Sequence, residues 1–138
     1  MNLLLSIHPN YSELIFSGKK TFELRRRLPK LSHGDVVWVY ETAPTQAIVG
    51  SFVVDKFHMA SPQTIWRKIG SLSCVEKNKF DVYYAGCSEA FAIGIQNAVR
   101  LRRKIDLSEL KAKWQGFSPP QSFRYVPDVI QLRTFHQK

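Results

Sequence analysis

The chain of 138 residues is long enough for one ordinary domain and too short for two cores of comparable stability. Its hydrophobic fraction of 44% and charged fraction of 22% belong to a chain that buries a core, which excludes a disordered polymer. Against 11 Asp and Glu stand 20 Lys and Arg, a net charge of +9, so the expected partner is anionic: nucleic acid, an anionic membrane surface or a phosphorylated small molecule.

Leu3, Leu4, Leu5 and Ile7 form a short apolar run that ends at His8-Pro9-Asn10 without a basic leader region or a small-residue cleavage site, and so reads as a strand and not a signal. Pro9 suits the first helical position, Tyr11, Leu14 and Ile15 recur at helical spacing, and Gly18 supplies a left-handed cap. From Thr21 to Leu28 the pattern alternates, with Phe22 and Leu24 on one parity and Thr21, Glu23, Arg25 and Arg27 on the other; Leu28-Pro29 closes this strand. His33-Gly34-Asp35 is a turn into Val36 to Tyr40, apolar on both parities as in an enclosed strand, and Ala47 to Phe57 follows with Gly50 at a bend.

Ser61 and Pro62 start a helix carrying Ile65, Ile69 and Leu72, and a second helical segment runs from Glu76 to Ala85, stopped by Gly86. Its Phe80, Tyr83 and Tyr84 read as core rather than as a base-stacking surface. Phe91, Ile93, Ile95, Val99 and Leu101 share one parity and Arg100, Arg102 and Lys104 the other, which describes a long strand ending as a basic ribbon. Leu107, Leu110 and Trp114 mark a last helix closed by Gly116, and Val129, Ile130 and Leu132 are expected to pair as a final strand. The mixed order points to an α+β fold, a small mixed or antiparallel barrel flanked by helices, in one domain over residues 1–138. No apolar run approaches the about 18 to 20 residues that span a bilayer, so no membrane segment is expected. Two cysteines, Cys74 and Cys87, support no disulfide framework, and a reducing, cytoplasmic setting is expected.

The stretch Gly18-Lys19-Lys20-Thr21-Phe22-Glu23-Leu24-Arg25 gathers a lysine, a carboxylate and an arginine at the start of one strand. It resembles the G-x-K-x-x-x-x-R pattern of the ASCH family in the PUA-like superfamily, carried here by Gly18, Lys20 and Arg25. Ser6-Ile7-His8-Pro9, the Gly34-Asp35 turn and Phe91-Ala92-Ile93 extend the resemblance. It implies a β-barrel with a cleft beside the first helix, associated with RNA binding and, in some members, with hydrolysis of acetylated cytidine or cleavage of RNA. Lys20 is a point charge for a phosphate, or a base if burial depresses its pKa; Arg25 is a planar fork, and Glu23 accepts from a base amino group or takes a proton. The alternative is a surface ion pair of little energetic value. Lys20 and Arg25 stand on opposite parities, so Lys20 must precede the regular strand, or a bulge must intervene, if both enter one cleft. The amidohydrolase-like members carry a threonine where this chain has Glu23; Thr21 is not the matching position, which weakens that activity, although Lys20 with Glu23 or Glu76 would still activate water.

His8, between first strand and first helix, either bonds a phosphate or caps the helix. Glu41 and Thr42 end the third strand near the same opening or form its turn. Ser122, Arg124 and Tyr125 lie in a stiff tail that would close the site, stack a base or pack on the barrel. His8, His33, His58 and His136 lack ligand spacing, so no metal and no other cofactor is expected. The leading expectation is an RNA or nucleotide binder in which Arg100, Arg102, Lys104 and the run Arg25 to Arg27 hold the backbone. The alternative is a hydrolase of a modified nucleoside such as N4-acetylcytidine, or a ribonuclease, with Lys20 and Glu23 catalytic. A third class is a protein-interaction domain linked to transcription, for which no residue specifies a partner.

Overall fold

The computed structural model describes residues 1–28 and 30–135; Pro29, expected to close the second strand, and His136 lie outside the described residues. Among the described residues six strands and four α-helices follow the order β1 (Asn2–Ile7), α1 (Pro9–Phe16), β2 (Phe22–Arg25), β3 (Val36–Glu41), β4 (Ala47–Ala60), α2 (Pro62–Ile69), α3 (Lys77–Tyr83), β5 (Ala90–Asp106), α4 (Leu107–Lys113) and β6 (Phe123–Tyr125). The strands make one curled sheet in the order β2-β5-β4-β3-β1-β6. Only β1 and β3 run parallel, joined by a crossover containing α1 and β2; the other neighbours are antiparallel. The α+β, barrel-like expectation is met. Among the described residues no helix is long and apolar enough to cross a membrane.

Sheet parity divides the core. Leu3, Leu5, Ile7, Val37 and Val39 pack with Phe52, Val54 and Ile93 under α1. Leu4, Trp38, Tyr40, Ile48 and Ile105 point the other way, beneath Leu110, Trp114, Phe117, Leu132 and Phe135. A third cluster, Leu24, Ile65, Ile69, Phe80 and Tyr84 with Ala90 and Ala92, anchors α2 and α3 against the β2 end of the sheet. Because β3 feeds both faces, its run of apolar residues on both parities follows directly.

Two expectations are corrected. The final strand is Phe123–Tyr125, paired with Leu3 to Leu5, whereas Leu132–Thr134 is a 3-10 turn and Val129 is exposed. Leu132 is buried in the second cluster with Ile130 packed against it, which satisfies their apolarity without ladder pairing. The regular alternation read along the long strand also breaks, because Asn97 takes φ of 52° and the β4–β5 register shifts between Ser51 and Val53. Beyond this irregularity Val99 is 61% exposed, although it shares parity with buried Ile93.

Gly50 sits at another shift in the β4–β5 pairing, between Ile48 and Gly50. A Cβ there would lie 2.5 Å from the Val99 carbonyl oxygen and 2.6 Å from the Phe16 ring. Gly50→Ala is therefore expected to cost about 1–3 kcal/mol by overpacking, read as a lower urea midpoint at unchanged slope.

Candidate functional site

The helix α1 begins on an N-cap made by His8, whose Nδ1 accepts from the Asn10 amide at 3.2 Å. It ends through Gly18, at φ of 85°, a left-handed conformation that costs glycine little. The chain then folds back, with the Lys20 amide donating to Leu14 O at 3.0 Å, and enters β2 only at Phe22. Lys20 therefore precedes the strand, so the parity conflict with Arg25 disappears. Its side chain is 1% exposed, and its amine donates to Ser73 O at 2.5 Å. The same amine is 3.6 Å from Glu23 Oε1 and 5.1 Å from the centre of the Tyr11 ring.

Glu23, 6% exposed, faces Lys20 with one oxygen and receives Arg25 Nη1 on the other at 3.3 Å. Arg25 also donates from Nη1 to Ser6 O at 3.2 Å and from Nη2 to Ser122 O at 2.5 Å. From beneath, the Tyr84 hydroxyl donates to Arg25 O at 3.1 Å; burial, with Tyr83 and Glu23 nearby, raises that hydroxyl above the ordinary tyrosine range. This is a buried network and not the solvated surface pair weighed as the alternative.

With Lys20 protonated, two cations share one carboxylate and one positive charge is left over in a poorly hydrated place. Burial lowers the Lys20 pKa from its ordinary 10.5; attraction to Glu23 and the nearby Cys74 sulfur, and the Glu23 hydrogen bond, oppose the shift. Above these groups opens a cavity of about 290 Å³, with Ser6, His8, Tyr11, Lys79 and Tyr83 on its walls.

His8, Lys20, Glu23 and Arg25 thus converge, while Arg27 and Ser122 line an adjoining space. The remaining candidates do not join them. Thr42 accepts the Thr45 amide in the β3–β4 turn, where Glu41 binds the Ser12 and Thr45 hydroxyls. Arg100 lies over the Phe16 ring at 4.9 Å, and Arg102 is exposed on β5. Arg124 crosses Trp114 at 4.6 Å, alongside the second core cluster, and Tyr125 is 43% exposed beside β1. The sequence reading missed Tyr11 and Lys79 and assigned Tyr83 to the core. Tyr83 is only half-buried, whereas Phe80 and Tyr84 are buried as expected. The Ser73 carbonyl carried no side-chain signal. Among the described residues no three of His, Cys, Asp and Glu gather as a metal group.

Fold and site together define a small barrel-like domain with a cavity beside its first helix, floored by Lys20, Glu23 and Arg25. The family model described as the ASCH domain matches residues 5–119, and the chain belongs to the ASCH domain family. It is 28% identical over 123 residues to an ASCH domain-containing ribonuclease of Zymomonas mobilis, covering 89% of this chain and 82% of that protein. The crystal structure of ASCH from Zymomonas mobilis superimposes with a TM-score of 0.88 at 27% identity, over 93% of this chain and 89% of that one. Large ribosomal subunit protein uL22 of Ureaplasma parvum is 27% identical over 124 residues, 90% of this chain but 39% of that protein.

Glu23→Gln should destabilise the fold by about 3–5 kcal/mol at pH 7, because Lys20 and Arg25 lose their shared counter-charge. The unfolded chain holds the Lys20 proton more firmly than the folded chain, so stability gains from this residue as pH rises toward 10.5. Removing Glu23 lowers the folded pKa further and starts that gain at lower pH. Urea denaturation at pH 7 and pH 9.5 should therefore show the gap between Glu23→Gln and wild type narrowing at the higher pH.

Proposed function

We propose that this chain is a single ASCH domain over residues 1–138 that binds single-stranded RNA in the cleft beside α1 and cleaves it there. The observation that carries the reading is the buried Lys20-Glu23-Arg25 group with its excess positive charge at the floor of a tyrosine-walled cavity. Such a floor favours an anion, and a phosphodiester supplies one while its base meets an aromatic wall. The similarity to a protein named as a ribonuclease supports the chemistry. The two free cysteines fit a reducing, cytoplasmic setting.

On this reading each residue of the network takes a role. Arg25 is committed to two backbone carbonyls and Glu23, so it fixes the carboxylate and contributes field rather than moving a proton. Glu23 takes the proton from the attacking hydroxyl, and Lys20, whose pKa burial has lowered, returns one to the departing oxygen. Hydrolysis of N4-acetylcytidine is the competing outcome. Thr21, the nearest threonine in the chain, lines a crevice with Phe16, Lys20 and Asn97 and not the cavity over Glu23, so that reaction would rest on Lys20 with Glu23 or Glu76.

Wild type should shorten a single-stranded RNA oligomer and leave N4-acetylcytidine intact. Its RNA affinity should fall with salt at a log-log slope of about 0.7 per phosphate neutralised. Lys20→Arg keeps the charge but cannot exchange its proton, so cleavage should drop by roughly 10² to 10⁴ with most affinity retained. Absence of wild-type turnover, with salt-sensitive binding retained, would reduce the protein to a binding module; deacetylation without cleavage would make the nucleoside the substrate. A flat salt response would remove RNA altogether.

A further inference from the structure

The cavity over Lys20, Glu23 and Arg25 has a neighbour on each side. One, of about 580 Å³, shares Ser6, Arg25 and Tyr83 with it and adds Arg26, Arg27 and Ser122. The other, of about 390 Å³, shares His8, Tyr11 and Lys79 with it and adds Asn10, Cys74 and Glu76. Each boundary is marked by a tyrosine. Tyr83 carries the Arg26 guanidinium 4.9 Å from its ring centre and is braced by Tyr84 edge-on at 4.8 Å. Tyr11 faces the Lys20 amine on the opposite side.

The two ends differ in charge. Arg25, Arg26 and Arg27 line the larger space with no carboxylate among the residues that form it, whereas Lys79 is offset by Glu76 in the smaller one. Phosphates are favoured at the arginine end, and a neutral group with donors, such as a base amino group, at the Glu76 end. The charged floor between them is recessed, with Lys20 1% and Glu23 6% exposed. A nucleotide stacked and paired in a duplex cannot reach it.

Resting on the reading of the cleft as an RNA site, we infer that the three spaces form one groove for an unpaired stretch of three nucleotides. The central unit lies over Lys20 and Glu23, and the backbone leaves across Tyr83 toward Arg26 and Arg27. Both arginines are exposed and outside the buried network, so their removal spares the fold.

The test uses 2′-O-methyl oligouridylates of one, two, three and five nucleotides, which lack the 2′-hydroxyl needed for internal attack, and measures affinity by calorimetry. Affinity should climb by about tenfold per added nucleotide, the size of one base stack on an aromatic face, up to three and then level off. Arg26→Ala with Arg27→Ala should lower the ratio of trinucleotide to mononucleotide affinity by about tenfold, the share of the unit at the arginine end, and lower the trinucleotide's salt slope by up to about 1.4. A blunt duplex of equal phosphate content should fail to compete. If the mononucleotide binds as tightly as the trimer, or the duplex competes equally, or the double variant keeps the full gain with length, the groove is refuted while the central site stands. If neither the mononucleotide nor any oligomer binds, the RNA reading of the cleft falls with it.

Discussion

The guanidinium of Arg25 holds the two ends of the sheet together. In the order β2-β5-β4-β3-β1-β6 the first strand of the list has no ladder partner on its outer side, and the curled sheet brings that edge toward β1 and the segment before β6. Among the described residues backbone pairing does not close the seam. Arg25, projecting from β2, spans it by donating to Ser6 O in β1 and to Ser122 O just before β6. A planar fork with several fixed donors can do this where the point charge of a lysine cannot.

A charge placed to close a seam requires a counter-charge, and the nearest one shapes the rest. Glu23, two residues earlier and so on the same side of β2, reaches Arg25 Nη1. Its other oxygen is met by Lys20, which arrives from the turn after α1 and is held by the Ser73 carbonyl. The α2–α3 connection is thereby tied to the start of β2. Tyr84, in turn, ties the end of α3 to the Arg25 carbonyl. The cleft opens at the seam because that is where the sheet lacks backbone closure, and its polar floor is the network that substitutes for it. On the proposed reading structural and chemical demands fall on the same three side chains, so a functional variant at Glu23 has to be separated from a folding variant by measuring both.

What the sequence made legible follows from how local each signal is. Alternation in Phe22 to Arg25, the Pro9 start and the Gly18 stop of α1, and the doubly apolar β3 are short-range patterns, and they put Lys20, Glu23, Arg25 and His8 at one place. The ribbon of Arg100 and Arg102 carried equal charge but lies on the far part of β5, because strand parity says which face a residue takes and not how far along the curled sheet it falls. Arg124 was read as a ligand group, yet its partners, Trp114 and Phe117, come from a helix end that only the tertiary fold brings near. Tyr83 was legible only in part: helical spacing places it beside buried Phe80 and Tyr84, and it does pack against the third cluster, but the packing of α3 against β2 also leaves it half open to the cavity. The Ser73 carbonyl, as backbone, had no residue type to announce it.

On the proposed reading the charge of the floor also links binding to protonation. With the cleft empty, desolvation pulls the Lys20 proton off more readily than in water, and its loss would leave Glu23 and Arg25 as a balanced pair. An anion entering the cavity supplies the missing negative charge and returns the Lys20 pKa toward its ordinary value, so on the proposed reading a phosphate and a proton favour each other's presence. Lys20 would then be most firmly protonated when a phosphodiester is in place, the state required of a group that must protonate a departing oxygen. Once the strand is broken and a product leaves with its charge, the same desolvation weakens the hold on a proton again. A surface lysine would bind phosphate too, but it is already fully protonated near neutral pH and occupancy would change that little; on the proposed reading burial is what makes the Lys20 amine responsive to an anion.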